Sequence, residues 1–187
     1  MIGIIDYDAG NIRSVEKAMK YLGQDVCITR DRDTLLQADK VILPGVGSFG
    51  DAMNHLQEYG LVDVIHELTE LEKPFLGICL GLQLLFEQSE ESPGVEGLGI
   101  LKGEILKIPE TEGLKIPETE GLKIPHMGWN SLTFQNQGRL FKGLEEHPYV
   151  YFVHSYYLKA EEESIVKATT QYGVTIHASV EKGNVFA

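Results

Sequence analysis

Lys73-Pro74-Phe75-Leu76-Gly77-Ile78-Cys79-Leu80-Gly81-Leu82-Gln83-Leu84-Leu85-Phe86-Glu87 reads as a buried strand, a sharp Gly-x-Cys-x-Gly turn and a helix that follows at once. The strand is expected over Phe75–Ile78 and the helix over Leu80–Gln88. This is the thiol form of the nucleophile elbow. Glycines on both sides of Cys79 permit a strained turn and let a substrate approach the backbone. The sulfur falls at a helix N-terminus, where free N–H groups favour thiolate over thiol and can hold an oxyanion. Cys79 is therefore read as a nucleophile. Cys27, in Gln24-Asp25-Val26-Cys27-Ile28, has no such setting and reads as a small core hydrophobe.

The sequence before the elbow alternates strand and helix. Ile2–Asp6 is a strand, Asn11 caps a helix through Leu22, and Gly23 ends it. Apolar residues at Ile12, Val15, Ala18, Met19 and Leu22 recur at helical spacing. Val26–Thr29 and Lys40–Leu43 are further strands. The tight loop Pro44-Gly45-Val46-Gly47-Ser48 leads to helices over Phe49–Tyr59 and Leu61–Leu71. Such alternation predicts an α/β fold, an open and mostly parallel sheet with flanking helices. Ligands in these folds bind at the carboxyl ends of the strands, where both glycine-rich turns lie. The second half holds short β-like runs: Gly99–Leu101, Glu104–Ile108, Trp129–Phe134, Tyr149–His154, Ile165–Thr170 and Val174–Val180. They read as an antiparallel extension of the same domain.

With 187 residues the chain is read as one domain, 1–187, able to bury about 70% of its unfolded surface. A net charge of −12 repels phosphates and argues against a nucleic-acid partner. No apolar run approaches the roughly 20 residues of a membrane span. Met1-Ile-Gly-Ile-Ile-Asp6 has neither the basic flank nor the cleavage site of a signal peptide. Two cysteines far apart in sequence, one of them in an elbow, fit a reducing cytoplasm better than a disulfide framework. No cofactor and no metal are called for.

Lys107-Ile-Pro-Glu-Thr-Glu-Gly-Leu114 is followed by an identical Lys115–Leu122, then by Lys123-Ile124-Pro125. Two short copies cannot make a solenoid. The segment 107–124 reads as a tandem-repeat surface loop, because added loop length costs little. The other reading is a docking loop, since it feeds into Pro125-His126-Met127-Gly128-Trp129-Asn130.

Six segments together resemble the class I, triad-type glutamine amidotransferases, and most closely the glutaminase subunits of imidazole glycerol phosphate synthases. They are Ile5–Asn11, Leu43–Phe49 with Asp51–Met53, Gly77–Gln83, Pro125–Asn130, Tyr151–Tyr156 and Gly183–Phe186. The elbow alone would fit many amidotransferases; Pro-Gly-Val-Gly, Pro-His-Met-Gly-Trp-Asn and Phe-Val-His-Ser-Tyr are more specific. Asp8 stands where that family usually has Gly. The resemblance implies a flavodoxin-like sheet on which Cys79 attacks the side-chain amide of L-glutamine. Ammonia leaves, and the thioester is hydrolysed to glutamate. It implies an oxyanion hole from Leu80 N–H and the Val46–Gly47 turn, and a glutamine site of Gly47, Gln83, His154, Ser155 and Tyr156. It implies a heterodimer with a (β/α)8-barrel cyclase, which uses the ammonia to form imidazole glycerol phosphate and AICAR in histidine biosynthesis. The partner would meet the Tyr7–Asn11 loop, Asn11 included, and Pro125, Met127, Gly128, Trp129 and Asn130.

The family's Gly-Asn-Val-Phe leads into Gln-Phe-His-Pro-Glu-Lys, which supplies the catalytic His and Glu, and then a final helix. This sequence stops at Ala187 and contains no His-x-Glu. The chain is accordingly read as C-terminally incomplete, with no turnover expected from residues 1–187. Neither His147, His177 nor His154 is recruited as the base. Three alternatives stay open. They are a non-catalytic cyclase-binding subunit, another class I amidotransferase, and a different cysteine hydrolase on a similar sheet. The reading frame after Ala187, or the intact mass of the native protein, separates the non-catalytic subunit, and ammonia release from glutamine with and without a cyclase is the discriminator for the others.

Overall fold

The computed structural model describes residues 1–109, 122–136 and 138–187. The tandem-repeat loop expected over 107–124 therefore lies largely outside the described residues. Strand and helix alternate through the first half as β1 (Ile2–Ile5), α1 (Ile12–Tyr21), β2 (Val26–Thr29), α2 (Arg32–Gln37), β3 (Lys40–Leu43), α3 (Phe49–Glu58), α4 (Leu61–Glu70), β4 (Phe75–Gly77) and α5 (Leu80–Leu84). The second half holds β5 (Gln88–Ser89), β6 (Gly103–Lys107), β7 (His126–Ser131), β8 (Thr133–Phe134), β9 (Tyr149–His154), β10 (Tyr156–Ala160), β11 (Val166–Tyr172), β12 (Val174–Lys182) and β13 (Val185–Phe186), with a 3-10 turn at Glu163–Ile165.

One sheet runs β2-β1-β3-β4-β13-β12-β11-β8. The pairs from β2 to β13 are parallel, and β13-β12, β12-β11 and β11-β8 are antiparallel. β10-β6-β5 forms a small second sheet, and β7-β9 forms a two-stranded ribbon. This is the α/β architecture with an antiparallel extension that the patterning predicts.

Alternation along the central strands sorts their side chains to two faces. Ile5, Val41, Leu43 and Phe75 meet Phe49, Met53, Leu56, Leu61, Ile65 and Leu68 of α3 and α4 in the larger core. Ile2, Ile4 and Ile42 meet the apolar stripe of α1 at Ile12, Val15 and Met19. Full burial of each such side chain contributes roughly 1.5–3 kcal/mol.

Several boundaries differ from the sequence reading for visible reasons. Asn11 does not cap α1 through its side chain; it sits at φ 64° and makes no such bond. Its carbonyl accepts from Ser14 N–H at 3.0 Å, and its side-chain oxygen accepts from the Ser14 hydroxyl. The far end of α1 follows expectation: Gly23 is left-handed, with Gln24 N–H on Met19 C=O (3.0 Å) and Gly23 N–H on Lys20 C=O (2.9 Å), a Schellman stop. α2 was not foreseen, although Asp31 caps it by accepting from Thr34 N–H at 2.8 Å. α5 is shorter than the predicted Leu80–Gln88, because its last carbonyls are claimed from outside the helix. Leu98 N–H donates to Leu84 (2.9 Å), Leu101 to Leu85 (3.0 Å) and Gly99 to Phe86 (3.2 Å). The same bonds explain why Gly99–Leu101 is not a strand. The predicted Trp129–Phe134 strand divides at buried Leu132 into β7 and β8, which pair with β9 and β11 respectively. β10, continuing beyond Ser155, was also missed.

Candidate active site

The turn after β4 holds Cys79 at φ 56°, ψ −112°. For a residue with a side chain this backbone persists only where its surroundings over-determine it. Ile78 N–H donates to Leu43 C=O at 3.0 Å, and Gly81 N–H to Ile78 C=O at 2.9 Å. Neither flanking glycine is at positive φ; what both serve is packing. A Cβ on Gly81 would overlap the Leu43 carbonyl oxygen, and one on Gly77 would come 2.7 Å from the Gly81 oxygen. A Cβ on Gly45 would overlap the Tyr7 hydroxyl and come 2.9 Å from Leu80 Cβ. The ends of β3 and β4 and the start of α5 thus meet backbone to backbone at the cysteine.

Cys79 is a free thiol whose side chain reaches the surface. The protein packed around the sulfur nevertheless pushes the thiol above its ordinary value, and the opposing pull of Leu80 N–H is smaller. Desolvation thus opposes the thiolate preference expected of the elbow. α5 has five residues, so few peptide dipoles align behind the sulfur. The Leu80 N–H also donates to Gly45 C=O at 3.3 Å, so this candidate oxyanion donor is engaged within the protein.

One cleft of about 410 Å³ is lined by Val46, Gly47, Cys79, Leu80, Gln83, His154, Ser155 and Tyr156, together with Glu91, Pro125 and Val153. Every residue proposed for the nucleophile, the oxyanion hole or glutamine binding falls in it. Gly47 is at φ 106°, a conformation that favours glycine. Gln83 reaches across and donates through Nε2 to Tyr156 C=O at 3.3 Å. Glu91 was not foreseen; its carboxylate accepts from Phe49 N–H at 2.8 Å, at the start of α3. No spacing in the sequence announces that contact.

His154 is doubly engaged. Its Nδ1 lies 2.9 Å from Tyr156 C=O, and its Nε2 lies 2.9 Å from Nδ1 of His126. A carbonyl only accepts, so His154 Nδ1 carries a proton. Neutral His154 then accepts at Nε2, and His126 donates from Nδ1. No lone pair of His154 is left for a sulfhydryl proton, in keeping with its rejection as base. Burial holds both imidazoles below the ordinary histidine value, His126 at about 4, with the neighbouring His154 adding to the effect there. An unfolded histidine protonates near 6.5. Between about pH 6.5 and 4 the unfolded chain therefore binds more protons at this site, and stability is lost as pH falls through that window. An NMR titration is expected to show His126 still neutral at pH 5.5; a midpoint above 6 would remove this account.

The segments expected to face a partner divide. Met127 and Trp129 are strongly exposed, at 61% and 70%, and their cross-strand partners Val153 and Tyr151 at 53% and 55%. Together with Tyr149 they make an outward apolar face on the ribbon. Asn130 points elsewhere and donates to Gln171 C=O at 3.0 Å; Gly128 sits at φ 145°, and Pro125 lines the cleft. Asn11 is exposed, whereas Tyr7 is 1% exposed and donates to Pro44 C=O at 2.7 Å. Tyr7 is thus a core residue beneath the Pro-Gly turn. Asp8 adopts φ 63°, which suits the family's usual glycine. The hydroxyl of Tyr59 and then Arg30 hold its carboxyl below the usual carboxylate range.

Among the described residues no cluster of three or more His, Cys, Asp or Glu is arranged to hold a metal ion. No described helix is long and apolar enough to cross a membrane.

A family model, Glutamine amidotransferase class-I, matches residues 3–187. The chain belongs to that family. Within it, the chain is 50% identical over 186 residues to the imidazole glycerol phosphate synthase subunit HisH of Bacillus cereus (strain G9842), covering 100% of this chain and 84% of the relative. It is 47% identical over 187 residues to the HisH subunit of Methanocaldococcus jannaschii, covering 100% and 88%. A solved glutamine amidotransferase superposes with a TM-score of 0.73 at 20% identity, covering 100% of this chain and 87% of the other. Another, from Thermotoga maritima, gives 0.66 at 14% identity, with 99% and 72% covered. At such identities the structures speak to the fold alone.

Proposed function

We propose that this chain is the glutamine-hydrolysing subunit of an imidazole glycerol phosphate synthase and passes ammonia to a (β/α)8-barrel cyclase. The observation that carries the reading is the shared cleft: an elbow cysteine lines the same pocket as Gln83, His154, Ser155 and Tyr156. Cys79 Sγ attacks the amide carbon of glutamine, the C–N bond breaks, and the departing nitrogen takes up the thiol's proton and leaves as ammonia. Water then cleaves the thioester to glutamate and frees the thiol. The carbonyl oxygen would be held by the Leu80 N–H, once released from Gly45, and by an N–H of the Val46–Gly47 turn. Gly47, Gln83, Ser155 and Tyr156, all lining the cleft, would contact the bound glutamine. The base is not His154, whose ring nitrogens are both bonded. The resemblance assigns that role to a His-Pro-Glu segment, which these 187 residues do not include.

The test is covalent labelling. A glutamine-like diazoketone should modify Cys79 once per chain, and millimolar glutamine, but not asparagine, should protect it. Labelling that glutamine does not slow would point to another cysteine hydrolase.

The exposed face of Met127, Trp129, Tyr151 and Val153 is assigned to the cyclase. Aromatic anchors at an interface centre typically cost 2 kcal/mol or more on truncation. Trp129→Ala is therefore expected to weaken cyclase binding by about 30-fold and to leave the fold intact. Unchanged affinity by calorimetric titration would place the interface elsewhere.

A further inference from the structure

We propose that His126 is a positioning residue for the glutamine site: its Nδ1–H holds His154 in one neutral ring form, whose own N–H fixes the Tyr156 carbonyl that Gln83 also uses. The inference rests on the glutamine reading of the Cys79 cleft and adds to it a residue that does not line that cleft.

The chain of contacts is continuous. His126 and His154 are directly opposite in the β7–β9 ribbon, with the ring nitrogens 2.9 Å apart. His154 Nδ1–H reaches Tyr156 C=O at 2.9 Å, and Gln83 Nε2–H reaches the same oxygen at 3.3 Å. The far end of the relay is held rigidly. His126 is 3% exposed and stacks on Tyr172 of β11 at 3.8 Å and on Phe152 of β9 at 4.7 Å between ring centroids. Tyr172 is in turn tied through its hydroxyl to Lys123 C=O at 2.6 Å.

A phenyl ring would fill this stack at no polar cost, since burying an imidazole demands a partner for its polar atoms. What histidine adds is the Nδ1 donor. Without it, Nε2 of His154 is an acceptor with no partner in a desolvated place. The ring can then turn, change tautomer or take up a proton. Each of these loosens the bond to Tyr156, and with it the carbonyl against which Gln83 is set.

Two variants separate the hydrogen bond from the stack. His126→Phe keeps the aromatic ring and removes the donor; His126→Asn places an amide N–H near the former Nδ1 and removes the ring. Glutamine protection of Cys79 against iodoacetamide is measured in the 187-residue chain, beside the rate without glutamine. Protection in His126→Phe is expected to need at least tenfold more glutamine, with unprotected alkylation within twofold of the parent, and His126→Asn to recover to within threefold. Equal protection in all three chains overturns the proposal, as does a loss in both variants, which would make the stack the cause. Nitrogen-15 spectra give a reading independent of glutamine: His154 must be the Nδ1–H tautomer in the parent, and its finding as Nε2–H overturns the relay even if His126→Phe fails to fold. Absence of protection in the parent sinks the glutamine reading itself, leaving the tautomer to decide the relay.

Discussion

Replacing Cys79 with Ala abolishes labelling by the glutamine-like diazoketone. In any form of the protein that turns over glutamine beside its cyclase, it lowers the glutamine-dependent rate by roughly 10⁴-fold or more. Under the proposed function, synthesis from added ammonia is expected to survive, because that chemistry would belong to the cyclase partner. The expectation follows from placement: Cys79 occupies the strained turn, reaches the surface and lines the cleft, whereas half-buried Cys27 lies in β2. The pH dependence adds a sharper condition. The packing around the sulfur raises its pKa and outweighs the Leu80 N–H, so the thiol predominates at neutral pH. Alkylation by iodoacetamide should be slow at pH 7.5 and still be rising at pH 9. A plateau reached below pH 8 would show that the backbone N–H groups prevail over desolvation. Cys79→Ala chains that still release ammonia from glutamine at the parental rate would end the assignment of Cys79.

Gly81→Ala is expected to be the most damaging single methyl in the described residues. The new Cβ would overlap the Leu43 carbonyl oxygen, a backbone atom that also accepts the Ile78 N–H at 3.0 Å. No rotamer relieves a clash with backbone, so α5 must lift from β3 and take the elbow with it. The cost is about 3 kcal/mol or more, read as a fall in the denaturation midpoint, and Cys79 loses its fixed place. Gly23→Ala is the control. Gly23, unlike Gly81, is at positive φ, and no atom lies within 4 Å of its Cβ position, so the penalty there is conformational alone, about 1 kcal/mol. If Gly81→Ala unfolds no more easily than Gly23→Ala, the contact of α5 with β3 does not hold the elbow.

Features written within a few residues were legible before any coordinates. The buried β1 run, the Gly23 stop and the Gly-x-Cys-x-Gly turn each depend on local dihedral limits and on hydrophobic period, and each stands where the sequence places it. The grouping of Cys79, Gln83 and the His154-Ser155-Tyr156 run was legible through family resemblance, because motifs far apart in sequence carry no local signal of meeting. Tertiary structure alone decided what long-range bonds compete for. It shortened α5, because the chain at Leu98–Leu101 takes the carbonyls of Leu84, Leu85 and Phe86. It buried Tyr7 beneath Pro44 and divided one predicted strand between two partners. It set His126 against His154 across 28 residues. A proton's place on an imidazole depends on which acceptor lies within about 3 Å, and only the closed ribbon brings the Tyr156 carbonyl, His154 and His126 into one line.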